Sequence, residues 1–228
     1  MSAIGRKRST STSPVAIEPL EQRRLLAAHL EAFVTQTNII QDSPTANQQF
    51  INAWGLSYGP TTPFWISENG SGQTQVYNAS TNKFVLTVKI TTADPAGGQS
   101  APTGQIFNND STAFLIDPAN PKSAARFLFA GEDGGISAWA GGPASTVKVN
   151  QFADGSVFKG LAEGTINGAT FLYATDFHNG AVDVFNSSFQ AVSMPGAFQD
   201  HRIPAGYAPF NVQNVGGNLV VPWRFHLH

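Results

Sequence analysis

A chain of 228 residues with 41% apolar side chains is long enough to bury a sizeable core, and its charged share of 12% is about half the usual, the difference being made up by Gly, Asn, Ser and Thr. The absence of cysteine excludes a disulfide framework and thiolate metal sites, and no run reaches the roughly 18 apolar residues of a membrane helix. A net charge of −2, with the basic residues past position 28 scattered and outnumbered by acids, argues against nucleic acid as a partner.

Residues 1–28 read as a disordered basic leader ending in a short helix. They carry Arg6, Lys7, Arg8, Arg23 and Arg24 against Glu18 and Glu21, whereas the remainder holds 8 basic and 13 acidic residues. A Sec signal would need 7 to 15 apolar residues after the basic start, and the longest run here is Leu25–Ala28. In IEPLEQRRLLAA, the residues Glu18, Pro19, Leu20, Glu21, Arg23, Leu25 and Leu26 stand in the order of a bacterial sorting motif of the LEPR-XLL type, which this segment resembles. Gln22 is a spacer in that pattern and Ile17 replaces its first leucine. The resemblance implies a protein secreted by, or held at the surface of, a bacterial cell. The other reading is a basic tail with a small amphipathic helix against an anionic surface.

Residues 29–221 are organised by a repeat. FWISENGSGQTQVYN from Phe64, FLFAGEDGGISAWA from Phe127 and FLYATDFHNGAVDVFN from Phe171 each read as a strand, an acidic glycine turn and a second strand closed by an aromatic. Gly72, Gly134 and Gly180 each precede the closing Tyr77, Trp139 and Phe185 by five residues, so one tight turn with φ > 0 is expected three times. Short apolar segments lie upstream, with Gly55, Gly104 and Gly160 in matching places, and a fourth start from Pro209 has Asn211 at that position. The closing aromatics are 62 and 46 residues apart, and units of this size with about four short strands predict propeller blades. The expected fold is therefore all-β: a partial β-propeller of about three and a half blades.

Through NAWGLSYGPTTPFWISENGSG, SAPTGQIFN, FAGEDGGISAW, VFKGLA, FLYATDFHNGAVDVF and IPAGYAPFNVQNVGGNLVV, the chain resembles an uncharacterised family of secreted bacterial proteins with NHL-like propeller repeats. The resemblance implies six blades in an intact ring and carries no established reaction. Set against it, residues 222–228, PWRFHLH, read as an aberrant tail, as from a frameshift or premature stop, with Pro222 removing a ladder hydrogen bond. An unclosed ring would leave sheet edges open, and two half-rings pairing is one way to cover them.

The turns between the second and third strands of the blades are expected to open on one mouth of the channel. That would gather Glu68, Asn69, Glu132, Asp133, Asp176 and His178, with Asn52 and Asn211 beside them, and the converging carboxylates and amides could hold Ca²⁺ or another divalent metal through oxygen ligands. The alternative is that each acid caps its own turn, as Asp and Asn routinely do, and the recurrence of the acids beside glycine favours it. His178 beside Asp176 is a candidate base, and His226 with His228 an H-x-H pair. Tyr77, Trp139 and Phe185 suit inter-blade packing better than sugar stacking. No G-x-S-x-G, H-E-x-x-H, phosphate loop or EF-hand loop is present. The expectation is an exterior binding scaffold for an extracellular ligand or protein, with a metal-dependent, lactonase-like hydrolase as the alternative.

Overall fold

The computed structural model describes residues 50–226; the leader, sorting motif and short helix assigned to residues 1–28 lie outside these, as does His228. Four strands, β1 (Ala53–Ser57), β2 (Phe64–Glu68), β3 (Gln73–Asn78) and β4 (Lys83–Lys89), form an antiparallel sheet in chain order. The same meander recurs as β5 (Pro102–Phe107), β6 (Phe127–Gly131), β7 (Gly135–Trp139) and β8 (Thr146–Asn150). A third sheet holds β9 (Phe158–Ile166), β10 (Ala169–Asp176) and β11 (Ala181–Asn186), and a single bridge from Phe185 to Ala191 marks its fourth position. Two short pairs follow: β12 (Tyr207–Pro209) with β15 (Trp223–Phe225), and β13 (Gln213–Val215) with β14 (Asn218–Val220).

The turn chemistry is as the repeat predicts. Gly72, Gly134 and Gly180 have φ of +68°, +69° and +67°, the left-handed region that glycine enters without a Cβ penalty. Between β13 and β14 the two-residue loop Gly216–Gly217 has both φ positive, which matches the right-handed twist of the strands it joins. Proline interrupts pairing at Pro222 as expected, yet the chain resumes in β15, and the Pro222 carbonyl accepts a hydrogen bond from Phe210 N at 2.9 Å.

The sheets stand side by side with their first strands innermost: β1 lies against β5, β5 against β9, and β9 against β13. Sequential four-stranded meanders radiating from an axis lined by their first strands are blades of a β-propeller. The core lies between blades. Trp65, Val76 and Val88 meet Phe127, Phe129 and Trp139, with Trp65 stacked on Phe127 at 4.0 Å. Leu128 and Ile136 meet Phe158, Leu172 and Phe185, and Tyr173 and Val184 meet Val212 and Leu219. Tyr77, Trp139 and Phe185 are all buried, so the closing aromatics are packing residues. Each such side chain contributes roughly 1.5–3 kcal/mol by leaving water.

Polar pegs fix the blades to one another. The Ser67 hydroxyl donates to Gln105 Oε1 at 2.5 Å, and Gln105 Nε2 donates to the Trp65 carbonyl, so one buried glutamine of β5 ties down β2. Thr103 Oγ1 donates to the Phe158 carbonyl at 2.7 Å, joining the second blade to the third. Gly55, Gly104 and Gly160 sit where inner strands nearly touch. A Cβ at Gly104 would lie 2.5 Å from Leu161 N, and one at Gly55 would collide with the Thr103 carbonyl. Each falls at a register shift between the first two strands of its blade, so a bulge and a glycine together bring one inner strand against the next.

Candidate functional site

Two features meet on the propeller axis: a mouth formed by the second-to-third-strand turns and the channel beneath it. The sequence placed those turns beside the segments that lead into each blade, and the backbone shows how. Asn69 N donates to Asn52 O at 3.0 Å, Glu132 N to Ala101 O at 3.0 Å, and Phe177 N to Val157 O at 2.9 Å. The three turns therefore present Asn69, Glu132 and Phe177 at equivalent places.

Of the predicted site residues, Asn69 and Glu132 come together, with Asn69 Nδ2 donating to Glu132 Oε2 at 3.2 Å. Asn52 joins them through Nδ2 to Asn69 Oδ1 at 3.1 Å. Lys159, which the sequence reading missed, forms an ion pair with Glu132 and lies 4.9 Å from the centroid of the Trp54 ring. Trp54 Nε1 in turn donates to Asn52 Oδ1 at 3.1 Å, so the network ties together three blades. The only sequence signal for Lys159 was its place immediately before Gly160, where Trp54 precedes Gly55.

The other predicted acids bond within their own turns and, for Asp133 and Asp176, to the loops leading into the blades. Asp133 accepts from Gly135 N at 3.1 Å, Thr92 Oγ1 at 2.7 Å and Ala93 N at 2.9 Å. Asp176 accepts from Val157 N at 3.1 Å and Asn179 Nδ2 at 2.7 Å. Glu68 is buried, accepts from Ser71 Oγ at 2.7 Å, and is pushed above the ordinary carboxylate range by burial. His178 stands 6.2 Å from His226, ring centroid to centroid, and Asn211 Oδ1 accepts from Val212 N. Among the described residues no three His, Asp or Glu side chains are grouped so as to hold a metal ion. Asp133 and Asp176 thus cap their own turns through Gly135 N and Asn179 N and also hold the loops leading in through Ala93 N and Val157 N.

Below the mouth, the inner strands enclose an open cavity of about 770 Å³. Trp54 and Lys159 belong both to the mouth network and to this cavity, and Trp54 and Phe210 have ring centroids 5.9 Å apart. Three residues beyond Gly55, Gly104, Gly160 and Asn211 come Tyr58, Phe107, Glu163 and Asn214, which line the cavity further along. Glu163 is unlike the mouth acids. Burial raises its pKa to about 7, nearby Asp110 adds to the rise, and the Asn109 amide opposes it. Its Oε2, like the Ser57 hydroxyl on the same cavity, is shielded from water and has no hydrogen-bond partner in the protein. A single acid inside the apolar strand segment FKGLAEGTI was the available clue.

No family model matches the chain. An uncharacterized protein, L690, of Acanthamoeba polyphaga mimivirus is 26% identical over 218 residues, covering 91% of this chain and 55% of the viral one. The chain thus spans about half the length of that curated relative. Among solved structures, a catalytically inactive virginiamycin B lyase from Staphylococcus aureus, crystallised with quinupristin, has a TM-score of 0.48 at 14% identity, covering 74% of this chain and 48% of its own. The Cps50 (Swd1) β-propeller domain of Myceliophteria thermophila has a TM-score of 0.44 at 11% identity, covering 71% of this chain and 44% of its own. The sheet order and the innermost placement of β1, β5, β9 and β13 are what make this chain an all-β propeller.

Proposed function

We propose that the chain is a binding module whose ligand enters the channel between β1, β5, β9 and β13. The observation that carries this reading is the cavity of about 770 Å³, whose lining includes Ser57 and Glu163, two residues that each have a side-chain oxygen without a hydrogen-bond partner in the protein. Buried polar atoms are almost always satisfied, so exceptions on a cavity wall point to a ligand. The metal-dependent hydrolase reading has less support, because Asp133 and Asp176 spend their oxygens on amides of their turns and of the loops leading into the blades, and Glu132 is paired with Lys159.

The test is ligand-observed NMR with a panel of small polar molecules, comparing the natural chain with Thr165→Trp, which narrows the channel at an exposed position of its wall. Binding by at least one class, lost in the variant, is expected. A panel without binders, or binders indifferent to Thr165→Trp, would sink the reading.

The exterior location belongs to the same proposal and is supported by the LEPR-XLL-like order at Glu18–Leu26. Its check is fractionation of a reporter carrying residues 1–28: retention in the cytoplasm argues against it. Self-pairing is supported by the exposed Phe64 on the first blade and Val215, Val220 and Phe225 near the last. Light scattering that returns a monomer mass at every concentration would remove it.

A further inference from the structure

The charge in the channel is unbalanced at one point. Only Lys159 and Glu163 among its lining residues carry a formal charge, and Lys159 is matched by Glu132. Glu163 has no cationic partner among the described residues. The groups that act on its carboxyl are the Asn109 amide and the Asp110 carboxylate, and the charge among them is of the same sign. Asp110 itself is committed to Thr112 and to Thr170 Oγ1, the latter at 2.8 Å. Asn214 Nδ2 donates to the Glu163 backbone carbonyl at 2.9 Å and leaves the carboxyl oxygens alone. A carboxylate withdrawn from water beside a second carboxylate lacks one thing, a cationic donor. Tyr58, just past the end of β1, and Phe107, at the end of β5, line the same cavity and add aromatic surface of the kind that favours an ammonium group.

We propose that the channel binds a small organic amine, with its ammonium group at Glu163 and its chain lying along the cavity towards the mouth. This rests on the channel-binding reading and names the ligand class for it. Burial holds the Glu163 carboxyl at about 7, so it is mostly ionised near pH 8 and mostly protonated near pH 6.

The experiment is isothermal titration of the full chain with butylamine, putrescine and spermidine, and with 1,4-butanediol as the uncharged counterpart of putrescine. At about pH 8 at least one amine is expected to bind roughly tenfold or more tightly than the diol, and Glu163→Gln to remove that advantage. Moving the natural chain from about pH 8 to about pH 6 should weaken the amine by roughly tenfold, which tests the idea even if the variant folds poorly. An absence of amine binding, or equal binding by Glu163→Gln, would overturn it. If amine and diol bind alike and Thr165→Trp abolishes both, the channel remains a binding site and the amine assignment fails.

Discussion

Gly160 of the third blade and Asn211 at the start of the last meet almost backbone to backbone: a methyl group on Gly160 would lie 2.7 Å from Asn211 Cα and 2.5 Å from Asn211 Oδ1. Neither neighbour is the yielding tip of a long side chain, so the strands themselves must part. Gly160→Ala is expected to cost about 1–3 kcal/mol, as other overpacking changes do, and Gly104→Ala, aimed at Leu161 N, a similar amount. Urea denaturation checks both; a midpoint unchanged from the natural chain would show that the blades have slack.

The pH dependence of stability should bear the mark of Glu163. Its carboxyl titrates near 4.5 when unfolded and at about 7 when folded, so the folded state holds the proton more tightly. The favourable contribution is complete below 4.5 and is lost as pH rises through 7. Glu163→Gln should therefore flatten the stability profile over that range and melt above the natural chain on its alkaline side. Thermal melts across the range read this directly, and parallel profiles would refute it.

Gln105 is buried and holds two groups of the neighbouring blade, the Ser67 hydroxyl and the Trp65 carbonyl. Gln105→Leu keeps most of the volume and orphans both. A loss of about 1–3 kcal/mol is expected, because the remaining polar groups cannot reach water. Hydrogen exchange should show the change concentrated on β2 and β5.

The two ion pairs among the described residues should behave differently. Asp200 and Arg202 are bonded at 2.8 Å on the surface, and the pairing holds the Asp200 carboxyl down at about 2. Asp200→Ala is nonetheless expected to leave the melting temperature unchanged, since water screens the pair. Glu132→Ala leaves Lys159, whose side chain is 13% exposed, without its anion and Asn69 without its acceptor, and should lower the melting temperature by several degrees. Equal effects from the two would mean that the mouth network contributes nothing.

What the sequence made legible was whatever is decided within a few residues. Gly72, Gly134 and Gly180 announce their turns because positive φ is a local demand, and Tyr77, Trp139 and Phe185 close their strands at a fixed offset. The acids were visible but their allegiance was not. Asp133 and Asp176 hold amides close at hand in their turns and also amides of the loops leading in, whereas Glu132 reaches Lys159 and Asn69, which are 27 and 63 residues away. Gly55, Gly104 and Gly160 could be aligned in the sequence, but their reason is a neighbour brought in by the fold. Glu163 passed unnoticed because its significance is an environment, made of Asn109, Asp110 and the channel wall, that no spacing encodes.

At the mouth, the turns are anchored through peptide groups: the amides of Asn69, Glu132 and Phe177 do the holding, and an amide, a carboxylate and a phenyl ring all occupy the same station. The backbone hold is thus indifferent to the side chain displayed at that station. A descendant of this chain could recast the third turn at Phe177 without touching that hold, whereas a change at Asn69 or Glu132 would also have to replace the side-chain network with Lys159.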